Sequence, residues 1–462
     1  MNQSLEKGFY ATALRLALPI ALQNLLVSCA TLIDTSMVMS LGNAATSAMG
    51  IASRFSFFMN VVAFGICSGA GTMIAQYWGA REYKSIKKVY GLSLAFSACI
   101  AVLFATLFFA FPTQLMCVFN NKDAEVISAG AEYLKYYSIA VGFVLFSQVS
   151  CASLRATESV TLPLVSSAIS VTVNTFLNYC LINGHLGFPR LEMKGAAIAT
   201  AIGAVVQALV VLFYILFTKN ALHGRLSEIF GFGRDFAKSF MRITAPVLAN
   251  EALWALGTNI YVMVIARQGT ENHAGYTVYD TFQQVFFVFF VGICNASAIM
   301  VGKRVGEGRL GDAFVAARRF LIMTPIAGII VGALMIIMRT PVMSLMPIET
   351  QGAYDVAYRL LFNYGLWLPV KMISYTAICG IFRAGGDTLM GFVQDATSLY
   401  LFGVPTVILL GLFTDIPFVL LVLVMYIAED VPKTILTVRH FFSRRWIKSI
   451  TGAGEETTPS KK

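Results

Sequence analysis

Long apolar runs follow one another along this chain from about residue 12 to residue 440, parted only by short charged clusters. A run of about 18 or more mostly apolar residues is long enough to cross a bilayer as a helix. Inside hydrocarbon, every backbone N–H and C=O needs a partner from the protein, and a helix supplies it within its own segment. The runs lie near 12–40, 47–78, 90–112, 128–153, 162–184, 194–218, 240–267, 275–303, 315–338, 353–380, 392–413 and 417–440. They predict an all-α polytopic membrane protein of about twelve transmembrane helices. Only 13% of the 462 residues are charged, against about 25% in an ordinary soluble chain. The first run, after Lys7 and Arg15, is too long for the apolar part of a signal peptide and lacks a small-residue cleavage pattern, so it reads as the first membrane helix.

The charges orient the helices. Arg81, Lys84, Lys87 and Lys88 follow span 2, and Lys219, Arg225, Arg234, Lys238 and Arg242 separate spans 6 and 7. Lys303, Arg304, Arg309, Arg318 and Arg319 follow span 8, and Arg439, Arg444, Arg445 and Lys448 follow span 12. The opposite ends hold fewer basic residues: Lys122, Arg190, Lys194, Arg267 and Arg339. Basic loops stay in the cytoplasm, so both termini are expected there. The same bias accounts for the net charge of +10 without a nucleic-acid partner. The eight cysteines are scattered singly and the histidines are isolated, which argues against a disulfide framework and a zinc site. Gly302, Gly306 and Gly308 follow no strand and lack a phosphate-loop Lys-Ser ending, which argues against nucleotide binding. No nucleophile–base set is visible, so an enzyme is not expected.

The chain also resembles itself. Shifted by 227 residues, spans 1 and 2 realign without a gap: Arg15 meets Arg242, Pro19 meets Pro246, Thr31 meets Thr258 and Gly79 meets Gly306. After span 4 the shift becomes 228, and Leu154-Arg155-Ala156 meets Phe382-Arg383-Ala384. Two six-helix halves that enter the membrane in the same sense should be related by an axis along its normal, an arrangement common in transporters. The expected division is an N-terminal lobe over 1–218, a cytoplasmic linker over 219–239, a C-terminal lobe over 240–448 and a disordered tail over 449–462.

Polar residues inside the spans are the candidates for chemistry. Asp34 lies in an apolar helix beside Leu32, Ile33 and Met37. A carboxylate at the bilayer centre costs about 2.5–3.5 kcal/mol on insertion scales, and intramembrane acids are functional by default. It must be paired, protonated or bound to a cation. In the repeat it meets Tyr261, so only the first half carries this acid. Asn174 and Asn178, four apart, share one face of span 5. Their carbonyl oxygens suit a hard cation or a carboxylic proton, though polar residues also serve as glue between helices. Pro19 removes a backbone hydrogen bond in span 1 and permits a kink. The second half has its own polar residues, Glu251, Asp280, Gln283, Gln284 and Lys371, of which Glu251, Asp280, Gln283 and Lys371 are candidates for lining a substrate cavity; Lys371 is expected either to pair with Glu251 or Asp280 or to meet an anionic solute group. Asp395, Glu429 and Asp430 read as lying near helix ends in structural roles.

Several stretches resemble the multidrug and toxic compound extrusion (MATE) family. They include LALPIALQNLLVSCATLIDTSMVMSLG in span 1, GICSGAGTMIAQYWGARE at the end of span 2, and the long segment from LRATESVTLP to GAAIATAIG. APVLANEALWALGTNIY, MVGKRVGEGR and IFRAGGDT continue the match, so that it covers about 11–450. The resemblance implies a cation-coupled efflux antiporter in two lobes with a cleft between them, taking small organic, cationic or amphiphilic solutes. The coupling ion would be a proton or sodium, with no other cofactor. It also implies that Asp34, Asn174 and Asn178 match an N-lobe cation site, that Thr200 matches another ligand of it, and that the Ala196 carbonyl falls at a further position. Some relatives carry Asp where this chain has Asn178, which leaves Asp34 as the carboxylate of the site. A bend at Pro19 would respond to Asp34. The family's other branches place an acid about one turn after Glu251, where Trp254 stands here, and a span-10 acid near Lys371. A monomer in the bacterial inner membrane, surrounded by lipid, is expected. The alternative is a flippase for lipid-linked precursors or polysaccharides from the same broad superfamily.

Overall fold

The computed structural model describes residues 8–119, 123–344 and 350–450. Lys122 and the tail beyond Ile450 lie outside them. The described residues form twelve long helices: α1 Phe9–Met39, α2 Asn43–Gly79, α3 Tyr83–Ala110, α4 Ala124–Ala156, α5 Thr161–Asn183, α6 Glu192–Phe217, α7 Arg234–Ala266, α8 Thr270–Gly306, α9 Leu310–Met343, α10 Gln351–Phe382, α11 Thr388–Phe413 and α12 Phe418–Ser443. The first eleven are long and apolar enough to cross a membrane. The twelfth has the length but carries Glu429, Asp430 and Lys433 within it. The one isolated β-bridge among the described residues joins Gly386 and Ile447.

Local chemistry sets the helix ends. Asp123 caps α4, its carboxylate accepting from the backbone N–H of Glu125 at 3.1 Å and of Val126 at 3.3 Å. Thr350 caps α10 in the same way, through the Ala353 N–H. Gly184, at φ 77°, takes the left-handed conformation that closes α5. Two spans of the second half are not uniform α-helix: residues 376–382 of α10 and 398–403 of α11 widen into π-turns. Such turns change which face the following residues present and recur at functional sites.

Two compact units form. One gathers Leu22–Ile74 with Glu82–Met241; the other gathers the described residues up to Ala21, Ala75–Arg81 and those from Arg242 onward. In the first, α4 packs against α3 and α6, and α6 against α5. Its core includes Val38, Met59, Phe108, Leu134 and Ile182. The small residues of α6 permit backbone contact with α5: a Cβ on Gly195 would stand 2.7 Å from the Leu181 carbonyl oxygen, and one on Gly203 would stand 3.1 Å from the Asn174 Cβ. The segment after α6 is partly ordered, since the short helix Leu226–Ile229 docks on α3 and Lys87 pairs with Glu228 at 2.7 Å. That ammonium holds the Glu228 carboxyl below its ordinary range.

In the second unit, α10 packs against α8, α9 and α12 around Tyr364, Leu368, Met372 and Phe290. The end of α2 crosses the end of α8 here, and the crossing follows the sequence repeat. A Cβ on Gly79 would fall on the Lys303 carbonyl, and a Cβ on Gly306 would fall on the Gln76 carbonyl. Gln76 and Lys303 are themselves equivalent at the shift of 227. The two glycines therefore guard one reciprocal contact. Gly79→Ala and Gly306→Ala should each lower stability by about 1–3 kcal/mol or more, because backbone faces the new methyl. Gly71→Ala, also within α2 and with nothing near its Cβ, should be neutral or slightly stabilising. Thermal unfolding of the purified variants in detergent checks the contrast; equal melting points would contradict it.

Candidate ion site and a second polar cluster

In the first unit, α1, α5 and α6 bring together five of the residues expected to act jointly. Asn178 Nδ2 donates to Asp34 Oδ1 at 2.6 Å and to Asn174 Oδ1 at 3.3 Å. Asn174 Nδ2 donates to Thr200 Oγ1 at 3.3 Å, and the Thr200 hydroxyl donates to the Ala196 carbonyl at 2.9 Å. Turned over about its Cγ, the Asn174 amide donates instead to Asp34 Oδ1 at 2.9 Å and accepts from the Thr200 hydroxyl at 3.3 Å. Both asparagines are buried, and Asp34 is half-buried. Asn178 Oδ1 has no hydrogen-bond partner among the described residues. A buried acceptor left this way costs about 1–3 kcal/mol unless a proton donor or a cation satisfies it. The site thus offers one carboxylate, amide oxygens and a hydroxyl, all hard oxygen donors.

The local sequence explains the convergence. The four-residue spacing stacks the two amides on one face of α5. Gly203 and Gly195 let α6 approach that face closely enough for Thr200 to reach Asn174. On α1, the Thr31 and Thr35 hydroxyls donate back to the carbonyls of Val27 and Thr31, a bond that tends to bend helices. Pro19 lies on the same helix, in the stretch that clusters with the second unit.

The second unit holds a denser set of charges. Arg383 donates to Glu251 at 2.8 Å, both largely buried. Lys433 bridges Asp395 at 2.6 Å and Glu429 at 2.8 Å. Glu429 also accepts from the Tyr261 hydroxyl at 3.0 Å, a contact that Gly403 permits, since a Cβ there would fall on that hydroxyl. Asp430 accepts from Trp367 Nε1 at 2.8 Å. Gln283 accepts from the hydroxyls of Tyr279 and Tyr426. Asp280 accepts from Gln284 Nε2 at 2.9 Å.

Two expectations change. Lys371 forms an ion pair with neither Glu251 nor Asp280; Arg383 takes Glu251, and the Lys371 ammonium lies over the rings of Tyr426 at 4.6 Å and Tyr364 at 5.8 Å. Asp395, Glu429 and Asp430 are not near helix ends. Glu429 and Asp430 stand in the middle of α12, and Asp395 lies within α11, where the helix runs on through the π-turn after it. The signal for them was present: Glu429 and Lys433 stand four apart, the spacing of an intrahelical ion pair, inside an apolar run.

The family model MatE matches residues 19–180 and 246–424. The chain belongs to the MATE family. Among curated relatives it is 23% identical over 448 residues to the probable multidrug resistance protein NorM of Thermotoga maritima, covering 94% of this chain and 92% of that one. It is 26% identical over 404 residues to the multidrug resistance protein NorM of Vibrio cholerae, covering 86% and 87%. Among solved structures, a MATE protein in a bent conformation superposes with a TM-score of 0.83 at 17% identity, covering 96% of each chain. An outward-facing multidrug resistance MATE transporter of the MOP superfamily gives 0.82 at 18%, covering 94% of each. These superpositions establish a shared fold. As a MATE member the chain is a multi-pass membrane transporter of the multidrug-efflux type.

The Lys433 bridge yields a prediction separate from transport. Lys433→Met leaves two buried carboxylates facing each other without a cation and should cost about 3–5 kcal/mol. Adding Asp395→Asn and Glu429→Gln should recover most of that loss. Thermal unfolding of the single and triple variants tests this; a triple variant no more stable than Lys433→Met would refute the bridge's role.

Proposed function

We propose that this MATE protein is a secondary antiporter. It exports organic solutes, cationic or amphiphilic, in exchange for a proton or sodium ion moving inward by alternating access. Asp34, Asn174, Asn178, Thr200 and the Ala196 carbonyl bind the coupling ion. The observation that carries this reading is the contact of Asn178 with Asp34 beside a buried Asn178 Oδ1 that lacks a donor. A cation bound by Asp34 and that amide oxygen balances the charge and satisfies the orphaned acceptor together; a proton on Asp34 does the same once the Asn178 amide turns its oxygen to the carboxyl. Coupling then requires that the ion-bound and ion-free sites favour different conformations. Pro19 leaves α1 without one of its backbone hydrogen bonds and so gives the helix a place to bend as Asp34 changes state.

The protein acts as a monomer in the cell membrane with both termini in the cytoplasm, bordered by lipid, and it uses neither nucleotide nor enzymatic chemistry. Its second unit supports cationic solutes over the polyanionic headgroups a flippase would handle. Among the polar side chains described above within its spans, five acids, Glu251, Asp280, Asp395, Glu429 and Asp430, stand with three bases, Lys371, Arg383 and Lys433.

Asp34→Asn should abolish gradient-driven efflux while the protein still reaches the membrane. Asn178→Ala removes a hydrogen bond to a charged group worth about 1.5–3 kcal/mol, so ion affinity should fall about ten-fold or more. Efflux from proteoliposomes under separately imposed proton and sodium gradients, over a panel of organic cations, reads both variants and names the ion. Export by Asp34→Asn at the wild-type rate would sink the proposal.

A further inference from the structure

Two helix faces of the second unit meet around the Lys371 ammonium. Tyr364, Trp367 and Lys371 lie along one face of α10 at spacings of three and four, and Tyr426 and Asp430 lie along one face of α12. The Tyr364 and Tyr426 rings stand 5.6 Å apart between centroids, tilted by 52°. Aromatic faces within about 6 Å of an ammonium, with a carboxylate nearby, make a recognition surface for organic ammonium groups. Lys371 lies over both rings, one turn beyond the Trp367 that donates to Asp430, and makes no ion pair among the described residues. It is half-buried on a flexible stem. Lys433, by contrast, is pinned between two carboxylates.

A second observation points to a ligand. Tyr364 is fully buried, and its hydroxyl has no hydrogen-bond partner among the described residues. Glu429 and Asp395 share Lys433, and Glu251 holds Arg383. Asp430 is fixed only by the Trp367 N–H, a neutral donor. Lys433, three residues on, is held by its own two carboxylates, so the cation that Asp430 can exchange is Lys371.

We propose that Tyr364, Tyr426 and Asp430 form a recognition site for an ammonium group of the exported solute, and that Lys371 fills this site from within as a tethered competitor. The proposal rests on the reading of the chain as an exporter of organic cations. A solute with an amine displaces the lysine, whose stem swings away. When the solute leaves, the lysine returns and keeps Asp430 from standing uncompensated. The lysine therefore lowers the apparent affinity for every amine by the fraction of time it occupies the cage. It also disfavours uncharged solutes, which cannot replace its charge.

The test is binding of n-butylammonium, which has the shape and charge of the lysine side chain. It is measured by titration calorimetry on the purified full-length protein in detergent. Lys371→Ala should bind it about ten-fold or more tightly than the wild type, and bound n-butylammonium should raise the melting point of the variant. Lys371→Arg, which refills the cage, should bind as weakly as the wild type. Lys371→Ala combined with Asp430→Asn should lose the gain. Lys371→Met serves in the same comparisons if the alanine variant does not fold. A lysine variant no tighter than the wild type, or a double variant as tight as Lys371→Ala, would overturn the proposal. No ion gradient enters the measurement, so a failure of coupled efflux and a failure of this cage are read apart.

Discussion

A charged side chain in a bilayer-spanning helix has no water to fall back on, so a partner on another helix must meet it. This requirement organises both units. In the first, a single carboxylate on α1 is met by an amide on α5, which is positioned by the small-residue surface of α6. In the second, carboxylates and bases from α7, α11, α12 and the residue that follows α10 are joined into pairs and bridges. The glycines follow from the same need. Close helix contact brings short polar side chains within hydrogen-bond reach, and it is possible only where no Cβ intervenes, as at Gly203 against Asn174 or at Gly403 against Tyr261.

The duplication gives two equivalent scaffolds, and substitutions at matched positions give them different chemistry. Arg155 and Arg383 are equivalent, and each reaches the first helix of its own half. Arg155 donates to the neutral Gln23 at 3.0 Å, whereas Arg383 meets the carboxylate of Glu251. Asp34 and Tyr261 are equivalent as well. The first is a carboxylate that accepts from Asn178; the second is a hydroxyl that donates to the carboxylate of Glu429. At this position the acid has in effect moved from the first helix of the half to its last, and the hydrogen bond has reversed direction. The first unit is left with one acid in its site and an unsatisfied amide oxygen. The second has most of its acids already held by bases.

Much of this was legible in the sequence. The spans follow from the apolar runs, because the bilayer admits few other structures. Asp34 stood out as a lone acid in such a run, and the spacing of Asn174 and Asn178 placed both on one face. The α12 cluster was harder to see. Glu429, Asp430 and Lys433 make their run polar enough to suggest a helix end, and nothing local in the sequence says that Asp395 of α11 completes the bridge. Arg383 appeared only as a marker of the repeat; its partner lies 132 positions away and is brought near by packing alone. The π-turns in α10 and α11 add to the difficulty, since each shifts the face on which later residues lie and so breaks the simple 3.6-residue reading.

The two lysines of the second unit show why pairing alone does not define a role. Lys433 touches two carboxylates within 2.8 Å, and freeing it would expose both charges to an apolar surrounding. Lys371 rests on ring faces, an attraction of about 0.5–2 kcal/mol that another cation can replace without leaving a broken ion pair behind. The first arrangement fixes helices against one another. The second can exchange its occupant at little cost, and exchange is what a transporter asks of the groups that meet its solute.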